Sequence, residues 1–238
     1  MFYWLSLHYS TYFHVLHVAQ YLTFRSICCA MTSLFLALFL CPMMIERLKS
    51  MQVGQQVRSD GPKSHLQKSG TPTMGGVVIL FSIMVSVLLW CDLSNSKVWI
   101  LLLVMLFFGG IGFIDDYLKV VKKNTKGLSA KHKFLSQFAL ALMVASFLYV
   151  TANSEAQTHL LIPFCKGVSV SLGVGFILFT MLVIVGASNA VNLTDGLDGL
   201  ALMPTVLIAM ALAVFAYLSG NAIFSKYLLI LHVAGSGE

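Results

Sequence analysis

An all-α, polytopic transmembrane helical bundle is the fold class that this 238-residue sequence predicts, and three observations carry it. Hydrophobic residues make up 58% of the chain and charged residues only 10%, with a mean hydropathy of +0.86, whereas a water-soluble globule carries about a quarter charged residues. Six long apolar runs alternate with polar segments. Those segments differ sharply in lysine and arginine content. The composition excludes an ordinary soluble enzyme, a disordered chain and a fibrous protein.

The first 24 residues hold no Lys or Arg ahead of their apolar content, which argues against a secretory signal peptide. Trp4, the Tyr and Phe residues around it, and His8, His14 and His17 read as an interfacial stretch, because amphipathic rings settle at headgroup depth. A hydrocarbon core about 30 Å thick needs about 20 apolar residues in a helix. Stretches free of Asp, Glu, Lys and Arg place six spans at about residues 26–45, 69–91, 98–114, 134–154, 169–190 and 199–219. The third is short, with Lys97 snorkelling and Asp115 at the interface. Helices are predicted over barrel strands, since unpaired backbone groups are costly in lipid and the runs do not alternate. Pro42 and Pro204 predict kinks in the first and sixth spans. Gly75-Gly76 and Gly109-Gly110-x-Gly112 predict close helix contacts. With no repeat or linker in between, residues 1–238 read as a single membrane domain.

Charge then orients the spans. Arg47, Lys49, Arg58, Lys63 and Lys68 lie in the first long loop, and Lys119, Lys122, Lys123, Lys126, Lys131 and Lys133 follow the third span, out of 15 Lys and Arg in all. The positive-inside rule puts both loops, and the short loop between spans five and six, in the cytoplasm, with the N-terminus outside. Glu46, Asp60, Asp115, Asp116, Asp195 and Asp198 share that face, out of nine acidic residues. The cationic excess thus follows topology, and no nucleic-acid partner is indicated. The five cysteines show no paired spacing and read as small apolar fillers.

Three segments on that face carry candidate chemistry. Asp115 and Asp116 end the third span about 100° apart around a helix axis, with Lys119 four and three residues on. Adjacent carboxylates need neutralising, and Mg²⁺ is typically held by one or two carboxylates plus substrate phosphates; the alternative is a hydrated helix end paired with lysine. Asn192, Asp195 and Asp198 recur every third residue beside Gly196 and Gly199 in the connection after span five. Carboxylates there suit ribose, base or metal, although a tight turn also favours Asn, Asp and Gly. Lys68, Thr71 and Thr73, just before span two, suit a phosphate. The lysines from 119 to 133, Lys131 among them, would offset the repulsion between two phosphorylated reactants, about 1 kcal/mol per unit pair at ~4 Å in water and several in a partly buried site. His65 and His132 have no partner at i+3 or i+4 and read as surface histidines.

Taken together, GTPTMGG (70–76), GFIDDYLKVVKKNTKGL (112–128) and NAVNLTDGLDGLA (189–201), in this order and on one predicted face, resemble the polyprenyl-phosphate N-acetylhexosamine-1-phosphate transferases. Within them the match is nearest to the phospho-N-acetylmuramoyl-pentapeptide transferases. YLTFRS (21–26) and VRSDGPKSH (57–65) extend the resemblance over nearly the whole chain. It implies transfer of phospho-N-acetylmuramoyl-pentapeptide from its UDP derivative (UDP-MurNAc-pentapeptide) to undecaprenyl phosphate in the bacterial inner membrane. UMP and the first lipid intermediate of peptidoglycan would be the products, with Mg²⁺ required. By the same resemblance, Asp115 is the carboxylate that activates the lipid phosphate, with Asp116 beside it in the reaction centre, and both are metal ligands. Lys68, Asn192 and Asp195 are similar to positions at the nucleotide and pyrophosphate pocket, with Gly196, Leu197 and Asp198 around the uridine; Thr73, Lys119 and Lys131 complete the substrate-binding set.

Family members continue through further membrane helices that bear a third aspartate, in a Phe-x-Gly-Asp-x-Gly-Ser context, and a histidine-rich loop. The principal Mg²⁺ ligand is therefore expected beyond residue 238, and these 238 residues alone are expected to be inactive; UMP release by them would overturn that. Three alternatives stand beside the main reading. One is a sister transferase using UDP-N-acetylglucosamine, and another an inactive membrane remnant. A transporter or flippase is the third, disfavoured because no Asp, Glu, Lys or Arg lies within the six runs. Homodimer formation is left open.

Overall fold

A computed structural model describes residues 1–50, 74–120, 127–152, 154–162, 168–194 and 200–238. The architecture is an all-α membrane bundle, as predicted, and the chain divides into two compact units, Met1–Phe134 and Leu135–Glu238.

In the first unit, α1 (Phe2–Tyr9) and a 3₁₀ helix (His14–Gln20) precede α2 (Leu22–Ser50), α3 (Gly76–Trp90) and α4 (Ser96–Val120). α2 extends past the predicted 26–45 at both ends and runs through Pro42. α3 corrects the second predicted span. Among the described residues five helices are long and apolar enough to cross a membrane, and α3 is a shorter apolar helix. Its 15 residues reach only about 22 Å, less than the hydrocarbon thickness; residues 69–73 of the predicted run lie outside the described residues. The sequence count erred because absence of charge marks where lipid is tolerated, not where backbone is helical.

α3 packs on α2. Its buried residues Val78, Ser82 and Ser86 recur every fourth position, and small side chains at such a seam let backbones approach closely. Gly109 of α4 does the same for Leu80, whose side chain occupies the space a Cβ would take, while Gly75, Gly76, Gly110 and Gly112 face open space. Of the two predicted glycine clusters, one glycine makes a close contact. At the other end of α3, Arg25, only 3% exposed, stacks over the Tyr3 ring at 4.2 Å and donates to the Trp90 carbonyl at 3.4 Å. The Met1 ammonium donates to the Leu88 carbonyl at 2.9 Å. Two cations thus meet the carbonyl end of α3, where the helix dipole favours positive charge. Trp90 completes this corner through its ring against Phe2 and its Nε1 donating to Thr32 Oγ1 at 3.0 Å.

α5 (Ala130–Val150) crosses the boundary into the second unit, which continues with a hairpin, α6 (Gly175–Thr194), α7 (Leu202–Gly220) and α8 (Ala222–Leu228). The hairpin pairs β1 (His159–Leu161) antiparallel with β2 (Ser169–Ser171), Leu160 opposite Val170. It takes residues 169–171 out of the predicted fifth span, and α6 begins only at Gly175 and runs on to Thr194. Alternation over three residues is too short a pattern to separate from a long apolar run. Pro204, expected to kink the sixth span, is the third residue of α7, where the backbone N–H has no intrahelical partner to lose. The helix therefore accommodates it in its first turn. α7 buries no residue, which fits a lipid-facing helix.

Candidate functional site

The structure moves the acidic pair from the end of a helix onto it. α4 continues to Val120, so Asp115 and Asp116 sit in its penultimate turn with Lys119 on the same surface. Lys119 Nζ donates to Asp115 Oδ2 at 2.6 Å, an i,i+4 ion pair in which the lysine side chain is 44% exposed and the aspartate 16%. The other carboxylate oxygen, Oδ1, accepts from the backbone N–H of Leu128 at 2.8 Å. Asp115 is thereby tied to both its own helix and the returning chain.

Gly127 makes that tie sterically feasible. Its backbone is left-handed, at φ +60°, and a Cβ there would run into Asp115 Oδ1 and the Lys119 side chain. Glycine meets both demands at once, since it adopts positive φ without cost and presents no side chain to the carboxylate. Ser129 then starts α5. The His132 backbone N–H donates to Ser129 Oγ at 3.4 Å, and His132 Nδ1 lies 2.7 Å from the same hydroxyl. This is an N-cap whose third helical residue reaches back to the capping side chain, with His132 where Glu or Gln is usual. His132 is exposed, as expected of a surface histidine.

Asp116 differs from its neighbour. It is half-buried, and among the described residues its carboxylate makes no hydrogen bond or ion pair. The Lys119 and Lys133 ammonium groups are close enough to act electrostatically on both carboxylates. Lys131 is exposed in the first turn of α5. Lys133 was read only as one of a run of loop cations. Its placement depends on where α5 begins, four residues ahead of the predicted fourth span, which spacing alone does not reveal.

In the second unit, Asn192 lies exposed in the last turn of α6, beside Thr194, whose hydroxyl donates to the Ala190 carbonyl at 2.8 Å. Asp195, Gly196, Leu197 and Asp198, with Lys68, Thr71 and Thr73, lie outside the described residues. Sequence reasoning missed the polar pair one turn earlier, Asn189 of α6 with Gln137 of α5, joined at 2.8 Å. Its signal was available: Gln137 is the one amide side chain in the apolar run 134–150, and a polar group in a spanning helix is rarely idle.

The donor set suits a hard divalent cation. Asp116 offers two carboxylate oxygens with no hydrogen bond or ion pair among the described residues, and Mg²⁺ needs only one or two carboxylates when phosphates complete its shell. Asp115, as placed, is committed to Lys119 and Leu128. No group of three or more His, Cys, Asp or Glu residues that could hold a metal occurs among the described residues, so any Mg²⁺ held here draws most of its ligands from substrate, water or other residues.

Comparison with known proteins adds two findings. Residues 98–237 match the model of glycosyl transferase family 4. Residues 68–80 match the phospho-N-acetylmuramoyl-pentapeptide-transferase signature 1. The first match covers more than half of the chain, including the acidic pair and the 189–201 segment; the second ends at the fifth residue of α3.

Proposed function

The chain belongs to glycosyl transferase family 4, and from that premise we propose that it acts in the transfer of phospho-N-acetylmuramoyl-pentapeptide from its UDP derivative to undecaprenyl phosphate at the inner face of the bacterial cytoplasmic membrane. That the protein is a multi-pass membrane transferase follows from its helices and its family. The observation that supports the finer reading is an Asp116 carboxylate with no hydrogen bond or ion pair among the described residues, beside a neutralised Asp115 at the polar end of an apolar helix, in a chain bearing the pentapeptide-transferase signature.

Phosphoryl transfer of this kind asks little covalent work of side chains; positioning and charge neutralisation dominate. Mg²⁺, when bound, would neutralise the pyrophosphate and polarise its phosphorus–oxygen bonds. Asp116 would hold it, with Asp115 as a second ligand once released from Lys119. Asp115 in that state would also orient the lipid phosphate. Lys119, Lys131 and Lys133 would lower the repulsion between two anionic reactants, and Lys68 and Thr73 would meet phosphate oxygens. Asn192 and Asp195 would contact the nucleotide, with Gly196, Leu197 and Asp198 around the uracil and ribose.

The purified chain in lipid nanodiscs should bind UDP-N-acetylmuramoyl-pentapeptide in a Mg²⁺-dependent manner and in preference to UDP-N-acetylglucosamine. Equal or stronger binding of UDP-N-acetylglucosamine would establish the sister transferase instead. Failure of either nucleotide to bind, with or without Mg²⁺, would remove the proposal.

A further inference from the structure

Gln137 lies outside every motif that points to the reaction, and Asn189 opens the 189–201 motif without a role in the chemistry assigned to it. Gln137 is 2% exposed, and its Oε1 accepts the 2.8 Å hydrogen bond from Asn189 Nδ2. The same Nδ2 donates to the Val185 carbonyl one turn back in α6, also at 2.8 Å. Farther along, Tyr149 of α5 stacks on Phe176 of α6 with ring centroids 6.4 Å apart. The two contacts are twelve residues apart on α5 and thirteen on α6, in opposite chain directions. α5 and α6 therefore run antiparallel past one another, joined at these two points.

The other buried residues of α5 are apolar: Leu140, Ala141, Val144 and Ala145. In lipid such a surface does little to fix the rotation of a helix about its axis, because acyl tails are as apolar as the neighbouring helix. A directional hydrogen bond does fix it, and a single polar pair in otherwise apolar packing is a well-attested register device. Asn192 follows Asn189 by three residues, which places the two on one face of α6 about 4.5 Å apart along the axis. Whatever sets the direction of Asn189 also sets that of Asn192.

We propose that Gln137 and Asn189 are positioning residues, whose amide–amide bond sets the rotation of the C-terminal half of α6 and so aims Asn192 at the nucleotide. The inference rests on the assignment of Asn192 to nucleotide binding made above. Gln137→Met is the informative substitution. It keeps the side-chain size and removes the interhelical bond, while Asn189 retains the Val185 carbonyl and no amide is stranded.

The test uses the whole chain in vesicles, its five cysteines replaced by alanine and Asn192→Cys introduced, labelled with a water-soluble maleimide. Gln137→Met should change the labelling rate several-fold. The exchanged pair, Gln137→Asn with Asn189→Gln, keeps the combined side-chain length and should restore it. An unchanged rate in Gln137→Met overturns the proposal whatever reaction the protein catalyses. A changed rate that the exchanged pair does not restore overturns it too, because it marks disturbed packing, not lost aim. In chains that keep Asn192, Gln137→Met should weaken UMP binding several-fold, with the exchanged pair again recovering it. If labelling follows the pair while UMP affinity does not, the register role stands and the nucleotide assignment of Asn192 falls.

Discussion

The end of α4 and the α5–α6 seam solve one problem with different chemistry. Each must hold a polar side chain in a single direction next to lipid-facing helix. At the end of α4 the group held is a charged carboxylate, fixed by an ammonium and a backbone N–H with a glycine cleared out of its way. In the seam the groups are neutral amides, fixed by a single hydrogen bond and a helix carbonyl. Charge is tolerable only where solvent shares in screening it. Lys119 stands partly in solvent and can neutralise Asp115 there, whereas a charge placed beside the buried Gln137 would meet a desolvation cost that one partner rarely offsets.

Gly127→Val is the hardest blow to the charged arrangement. A β-branched residue at φ +60° costs about 1–2 kcal/mol in backbone strain, and its side chain must also displace Asp115 or Lys119. The apparent unfolding midpoint in detergent, at fixed scan rate, should fall by several degrees; an unmoved midpoint would show that the returning chain is not held there.

The two carboxylates separate at the next level. Asp115→Asn should cost about 1 kcal/mol, because the amide still accepts from Leu128 but no longer pairs with Lys119. Asp116→Asn should leave the midpoint nearly unmoved and instead abolish Mg²⁺-dependent nucleotide binding in a titration. Matching losses of stability in the two variants would mean that Asp116 also has a structural partner.

Gln137→Met should cost less, about 0.6 kcal/mol and at most about 1.7, in the range of hydrogen bonds between membrane helices. That loss should not depend on salt. Lys119→Met should give the smallest effect, about 0.5 kcal/mol, which fades as salt approaches 1 M and the Debye length shrinks to about 3 Å. A salt-dependent loss in the glutamine variant, or a salt-independent one in the lysine variant, would erase the distinction between the two regions.

Much of this was legible beforehand. Apolar runs mark where helices lie, because lipid forbids charge and unpaired backbone alike. The acidic pair and the residues from Asn192 to Asp198 stand out because polar side chains interrupt those runs. Helix ends are less legible: hydropathy alone makes α3 a full span, Pro204 a kink and residues 169–171 helix. Each error has the same origin. Helix ends are set by backbone hydrogen bonding and capping, such as that of Ser129, and hydropathy carries little of that information.

The all-α membrane class, the family motifs and the residue types available for phosphate, nucleotide and metal are properties of the sequence, since these depend on composition and order along the chain. Packing in three dimensions is what occupies Asp115 while leaving Asp116 without a hydrogen bond or ion pair among the described residues, makes Gly127 rather than Gly110 or Gly112 the glycine no side chain could replace at this site, and brings Gln137 to Asn189 across fifty-two residues of sequence. Such pairings depend on which helix faces turn toward one another. That choice is made by close packing and a few directional bonds, and neither periodicity nor hydropathy records it.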